Sequence, residues 1–184
     1  MLKEFRDFLY VSADLSSFVL FNDVLSVDEN KIVGLYEEEI KSGKKIIIPG
    51  LYRCLGIGMI GEIQSDSISA IAGIHMTPFT DMKGAYELIK SEAIDVFVSN
   101  FGLSMLIFAG GKIGREEDKI LYEKHHEYVV DPLVKEFRDV TCVRFVPDSE
   151  TFKTDLLLEK DYAKVVQMTS SFIERVGVVR YDYK

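Results

Sequence analysis

Apolar and polar positions divide this chain into short elements that switch between the helical and the strand period. From residue 2 to about 21 the two kinds of residue mix, although residues 7–11 and 18–21 read as short strands. Ser26 followed by Glu29 has the spacing of a capping box. Ile32, Leu35, Tyr36 and Ile40 then recur at helical intervals until Gly43, so a helix is expected over 28–41. The run Lys45-Ile46-Ile47-Ile48 is stiff at χ1 and is stopped by Pro49-Gly50, which predicts a short buried strand. Turn-forming Gln64-Ser65-Asp66-Ser67 separates two apolar segments, and a hairpin over 55–76 follows, with 68–76 as a central strand.

Beyond Pro78 the pattern predicts a helix over 83–92 and strands over 94–98 and 103–109, the latter running into Gly110-Gly111. A long helix over 115–138 is expected to kink or divide at Pro132. A strand over 141–146, a helix over 163–174 and a last strand over 176–181 complete the chain. An antiparallel hairpin followed by helix-connected strands gives the α/β class, a layered sandwich with a mixed sheet. No repeat, low-complexity tract or Pro/Ser linker interrupts residues 1–184, so one domain is expected.

Composition narrows the function. The 184 residues are 47% hydrophobic and 28% charged, which suits a packed core. Thirty acidic residues against 22 basic ones give a formal charge of −8, unfavourable for nucleic-acid backbones or anionic lipid. No apolar run is long enough to span a membrane, and the mixed charges of the first residues do not form a secretion signal. Two cysteines, Cys54 and Cys142, are too few for a disulfide framework and too far apart for a C-x-x-C pair; a reducing, cytoplasmic compartment is expected.

Several motifs carry possible chemistry. Gly56-Ile57-Gly58-Met59-Ile60-Gly61 matches G-x-G-x-x-G, but a dinucleotide site needs a helix starting at the last glycine, and Glu62 to Ser67 is turn chemistry instead. Glycines that admit close strand packing are the simpler reading, with nucleotide binding as an alternative. Gly110-Gly111-Lys112 lacks the Ser or Thr of a phosphate loop and reads as a tight turn. Glu123-x-x-His126 is half of a di-metal pattern whose other half is missing, so no metal is expected. Cys142, in an apolar strand, reads as an inert thiol. Cys54 and His75 remain. If the hairpin turn centres on Ser65 and Asp66, paired positions sum to about 130, and these two sum to 129, so the register permits contact between a thiol and an imidazole, which spacing alone leaves open to a reading as two buried core residues.

Residues 50–59, Gly-Leu-Tyr-Arg-Cys-Leu-Gly-Ile-Gly-Met, and residues 72–78, Ala-Gly-Ile-His-Met-Thr-Pro, resemble the receptor glutamine deamidase (CheD) family of bacterial chemotaxis. The likeness continues through Ile107-Phe108-Ala109-Gly110-Gly111 and Ile113-Gly114-Arg115, and covers about 48–146. A similar cysteine–histidine arrangement occurs in the catalytic domains of cytotoxic necrotizing factor toxins. The resemblance implies a protein glutamine deamidase with Cys54 as nucleophile and His75 as base, no cofactor, and a protein substrate bearing an exposed glutamine. The family's threonine six residues before its cysteine corresponds to Ile48, so Thr77 or a backbone carbonyl is expected to orient the histidine. Arg53 stands in place of a serine, where it could lower the thiol pKa, and the Arg53 to Leu55 backbone is the candidate oxyanion site. The rival from another class is a non-catalytic interaction domain in which both residues are core.

Overall fold

The computed structural model describes residues 2–5, 9–12, 24–64, 67–78 and 81–181. The expected strand at 18–21 lies outside them. The first half of the chain runs β1 (Leu2–Phe5), β2 (Leu9–Ser12), β3 (Val24–Ser26), β4 (Ile32–Tyr36), α1 (Glu37–Lys41), β5 (Lys45–Ile48), β6 (Leu55–Ile60), β7 (Ile63–Gln64), β8 (Ser67–Ile68) and β9 (Ala70–Met76). A helical block follows, made of α2 (Met82–Ile89), a π-helical turn over Lys90–Ile94 and α3 (Asp95–Phe101). Then come β10 (Met105–Gly110), α4 (Glu116–His125), a second π turn over His126–Val130, α5 (Asp131–Glu136) and β11 (Thr141–Phe145). Three strands close the chain: β12 (Thr151–Leu158), β13 (Tyr162–Thr169) and β14 (Ile173–Arg180).

Two mixed sheets and a helical layer make the architecture an α/β sandwich. One sheet has the order β1-β11-β10-β6-β9-β4, with β1, β11 and β10 parallel and the rest antiparallel; the other has the order β2-β14-β13-β12-β5-β3. The central strands β6, β9 and β10 of the first sheet are buried on both faces, so side chains along one strand sort by parity into two cores. Met105, Ile107 and Ala109 of β10 meet Ile46, Ile48, Leu156 and Leu158 of the second sheet, whereas Leu106 and Phe108 meet Phe97, Val130 and Leu133 of the helices.

The glycines of the G-x-G-x-x-G string belong to this packing. A Cβ on Gly56 would come within 2.6 Å of Leu51, in the loop before Cys54, and one on Gly58 within 2.8 Å of Leu158 of the second sheet, so both mark close packing on this face. Gly61 is followed by β7 and opens no helix, which removes the element a pyrophosphate would need.

Three expected elements differ. Residues 28–41 are not one helix: Ser26 ends β3, and Ile32–Tyr36 is a strand paired with β9. The capping box lies further on, where the Tyr36 N–H donates to Glu39 Oε2 at 3.2 Å at the start of α1. Residues 94–98 continue the helix through a π turn, because Ile94 and Phe97 pack into the helix-side core. Residues 163–174 form β13 and the turn into β14, with β13 bonded between β12 and β14. Pro132 does divide the long helix. A proline has no N–H to give residue 128, and just before it the ladder widens, with the Asp131 N–H donating to the His126 carbonyl. None of the described helices is long and apolar enough to cross a membrane.

Candidate active site

The site forms at one end of the sandwich, where β6 begins and β9 ends. Gly56 pairs with His75 across these strands, so paired positions sum to 131 and Cys54 lies one step beyond the ladder. Parity settles the faces. Gly73 presses on Ile46 and Ile48, and His75, two residues on, points to the same inter-sheet side. Cys54 contributes to the inter-sheet core as well. The two side chains therefore share a face, and both are buried, with Cys54 8% and His75 3% exposed.

Two anchors hold the Cys54 loop. Before it, Pro49-Gly50 turns with Gly50 at φ +66°; the Gly50 N–H donates to Asp155 Oδ1 at 2.6 Å, and the Leu51 N–H donates to the Thr154 carbonyl at 2.8 Å. After it, the Gly111 N–H donates to the Cys54 carbonyl at 2.9 Å. Gly110, at φ +102°, lies so close that a Cβ there would be 2.5 Å from that carbonyl oxygen. The Gly110-Gly111 pair is thus the tight turn expected from the sequence, and its role is to seat the cysteine. Among the described residues, no backbone group accepts a hydrogen bond from the N–H of Arg53 or Cys54.

His75 is held by a turn of the segment expected to be helical. The Lys31 N–H donates to the Asp28 carbonyl at 3.2 Å, closing a β-turn with Glu29 and Asn30 at its centre. Asn30 adopts φ +58°, a conformation that its residue type tolerates. This turn clamps the end of β9 by backbone bonds from Asn30 N to the His75 carbonyl and from His75 N to the Lys31 carbonyl. It also brings the Val27 carbonyl to 3.3 Å from His75 Nδ1. A carbonyl can only accept, so Nδ1 carries a proton, and in the neutral ring Nε2 keeps its lone pair. Nε2 is buried and has no hydrogen-bond partner among the described residues.

A third group joins them. A carboxylate oxygen of Glu29, the sulfur of Cys54 and a ring nitrogen of His75 all lie within 4.8 Å of one another. The Cys54 thiol is pushed up to about 11, first by burial and then by the Glu29 charge.

The other expected site residues are engaged elsewhere. Arg53 Nε donates to Asp118 Oδ1 at 2.6 Å, and its guanidinium lies 3.6 Å from Glu117; the acidic first turn of α4 takes its charge, and the thiol is raised rather than lowered. Thr77 Oγ1 donates to Asn30 Oδ1 at 2.8 Å, so of the two orienting partners expected for the histidine, the backbone carbonyl holds the ring. Leu55 pairs with Met76 and Gly110, and its side chain packs toward the helices. A cleft of about 610 Å³ lies along the opposite face of β9, lined by Asn30, Ile32, Ile74, Leu88 and Glu92. Neither Cys54 nor His75 lines it, so the cysteine–histidine pair and the cleft are separate.

Sequence reasoning missed Val27, Glu29 and Asp155. The signal for the first two was present in Asp28-Glu29-Asn30, which is turn chemistry once Ser26 is not taken as a helix cap. Nothing in the sequence pointed to Asp155, 105 residues from Gly50. No family model matches the chain, and no curated protein matches it.

Proposed function

We propose that the protein is a cysteine–histidine amidohydrolase acting on carboxamides, most concretely a protein glutamine deamidase. The observation that carries this reading is His75. Its Nδ1 proton faces the Val27 carbonyl, its buried Nε2 has no hydrogen-bond partner among the described residues, and a ring nitrogen lies within 4.8 Å of the Cys54 sulfur on the same face of the sheet. The resemblance of residues 50–59 and 72–78 to the CheD family points to glutamine as the amide.

In the reaction, Cys54 Sγ attacks the carboxamide carbon while His75 Nε2 takes the thiol proton. The tetrahedral oxyanion is stabilised by the backbone N–H groups of Arg53 and Cys54. The proton passes from His75 to the departing nitrogen, and ammonia leaves a thioester. Water then attacks the thioester with His75 again as base, and the thiol and a glutamate side chain are released. A thiol pushed up to about 11 is protonated at neutral pH, so the proton moves during attack, as in a serine hydrolase, rather than beforehand. Glu29 lies within 4.8 Å of both reacting groups, and its charge opposes a thiolate at Cys54.

The substrate is a protein with an exposed glutamine, the setting is the cytoplasm, and no cofactor takes part. The test is ammonia release together with conversion of glutamine to glutamate in glutamine-bearing protein substrates. Wild type is expected to turn over and Cys54→Ser to be inactive. The raised thiol favours the rival reading, a non-catalytic interaction domain; a folded Cys54→Ser protein with lower stability, and no amidase activity in either form, is that rival's outcome.

A further inference from the structure

We propose that Glu29, Cys54 and His75 form a binding site for a single Zn²⁺ ion. The ion would occupy the position from which Cys54 attacks, and so hold the enzyme in a silent state. The ion-binding part stands on the ligand geometry alone; the silencing part rests on the hydrolase reading above.

The three donors are a thiol sulfur, an imidazole nitrogen and a carboxylate oxygen; the soft sulfur and the borderline nitrogen favour Zn²⁺ over the oxygen-seeking Mg²⁺ and Ca²⁺, and the carboxylate is a ligand zinc also takes. They converge from three parts of the chain, the Glu29 turn, the Cys54 loop and strand β9, each fixed by backbone hydrogen bonds. Donor atoms around a tetrahedral zinc ion stand about 3.2 to 3.8 Å apart, given bonds of about 2.0 to 2.3 Å. Here all lie within 4.8 Å of one another, so closure needs movement on the order of 1 Å. Glu29 is exposed on its turn and free to supply it.

The independent observation is His75. The side chain is 97% buried by its 3% exposure, and its Nε2 has no hydrogen-bond partner among the described residues, a state that leaves a buried polar atom unsatisfied. A backbone carbonyl on Nδ1 is the arrangement that orients a metal-binding imidazole and fixes the tautomer whose Nε2 can coordinate. Among the described residues Cys142 joins no such cluster, and its Sγ donates to the Val140 carbonyl at 3.6 Å.

Binding is written as Cys54–SH plus Zn²⁺ giving Cys54–S–Zn⁺ and a proton released to solvent, with no change of oxidation state. Three protein ligands leave one position for water. While the ion is bound, the sulfur lone pair and the Nε2 lone pair are both engaged, so neither attack nor proton transfer can begin. Chelation restores the reacting pair.

The test is titration of the metal-free full chain with CoCl₂, followed by displacement with ZnCl₂. One equivalent of Co²⁺ is expected to give a thiolate-to-cobalt charge-transfer band that Zn²⁺ abolishes. Cys54→Ser should remove the band, Cys142→Ser should leave it intact, and Glu29→Gln, on an exposed turn where folding is not at issue, should weaken binding at least tenfold. A missing band, a band that survives in Cys54→Ser, or equal affinity in Glu29→Gln would overturn the site. Because these readings need no turnover, a chain that binds Co²⁺ but never releases ammonia sinks the hydrolase reading and the silencing while keeping the site. A chain that deamidates but gives no band does the reverse. In an active preparation, one equivalent of Zn²⁺ should block ammonia release and a chelator should restore it; full activity with the ion bound would refute the silencing.

Discussion

The molecule places a buried cysteine and a buried histidine in each of two regions, and the two pairs are held differently. On the helix side of the first sheet, Cys142 lies in β11 between β1 and β10, fully buried, with its thiol donating to the Val140 carbonyl. His125, on α4, is buried in the same layer as Arg144, whose side chain stacks 3.9 Å from the Tyr122 ring centroid. Burial, and then the Arg144 charge, lower His125 to about 4, so it is neutral at pH 7. At the inter-sheet end, Cys54 lies one step past its ladder, and His75 is tethered through one ring nitrogen with the other left free. Residue type is equal in the two regions. A committed tautomer and a shared face make the difference.

The largest expected effect separates the two cysteines. Cys54→Ser should lower deamidase activity by about a thousandfold or more, and His75→Ala comparably, since nucleophile and base act as one unit and their losses do not add. Cys142→Ser should stay within about twofold of wild type, because it touches no reacting group. Ammonia release under identical conditions decides this. Equal losses from both cysteines would erase the contrast.

The second effect belongs to the inert region and is one of stability. His125 has a folded pKa lowered to about 4 from an ordinary 6.5. Between these values the unfolded chain binds more protons, so stability is complete above about 6.5 and falls as pH drops toward 4. The loss is expected to reach about 3 kcal/mol, at about 1.4 kcal/mol for each pH unit of the window. Urea unfolding at a series of pH values should show it, and His125→Gln should flatten this part of the curve. A slope unchanged by the substitution would place the acid sensitivity elsewhere.

A third effect tests how the Cys54 loop is held. Asp155 accepts the Gly50 N–H and pairs with Lys153 at 3.0 Å, so Asp155→Asn should cost about 2 kcal/mol and lower turnover several-fold. Loss of stability with turnover intact would show that the anchor supports the fold but not the site. The smallest effect concerns Glu29. Replacing it by glutamine removes the charge that adds to burial in raising the thiol. Alkylation of Cys54 at pH 8 should therefore quicken about threefold, with stability within about 0.5 kcal/mol of wild type. Unchanged alkylation would mean burial alone sets the thiol.

How much of this could be read from the chain follows from where local pattern and tertiary context agree. The isoleucines of β5 and the turn chemistry at residues 64–67 point to their strands and to a register within one of that observed, a pair sum of about 130 against 131. The α/β layering was legible for the same reason. Residues 32–36 were not, because Ile32, Leu35, Tyr36 and Ile40 fit a helical period, and only pairing with β9 makes the first of them a strand. Residues 163–169 alternate imperfectly, since Val165, Val166 and Gln167 are buried in succession, and their strand depends on neighbours on both sides. In the site, Cys54 and His75 could be found through hairpin register. Val27 and Glu29 were hidden by the misplaced helix, and Asp155 by its separation in sequence.

The central claim is that Cys54 and His75 act together as nucleophile and base. Its most direct measurement is covalent trapping by a peptide whose glutamine side chain carries a chloromethyl ketone in place of the amide, followed by mass spectrometry of the digested protein. The account expects one adduct per chain, on the peptide containing Cys54, formed far more slowly in His75→Ala, with Cys142 unmodified. No adduct on Cys54, or equal rates in wild type and His75→Ala, would contradict it.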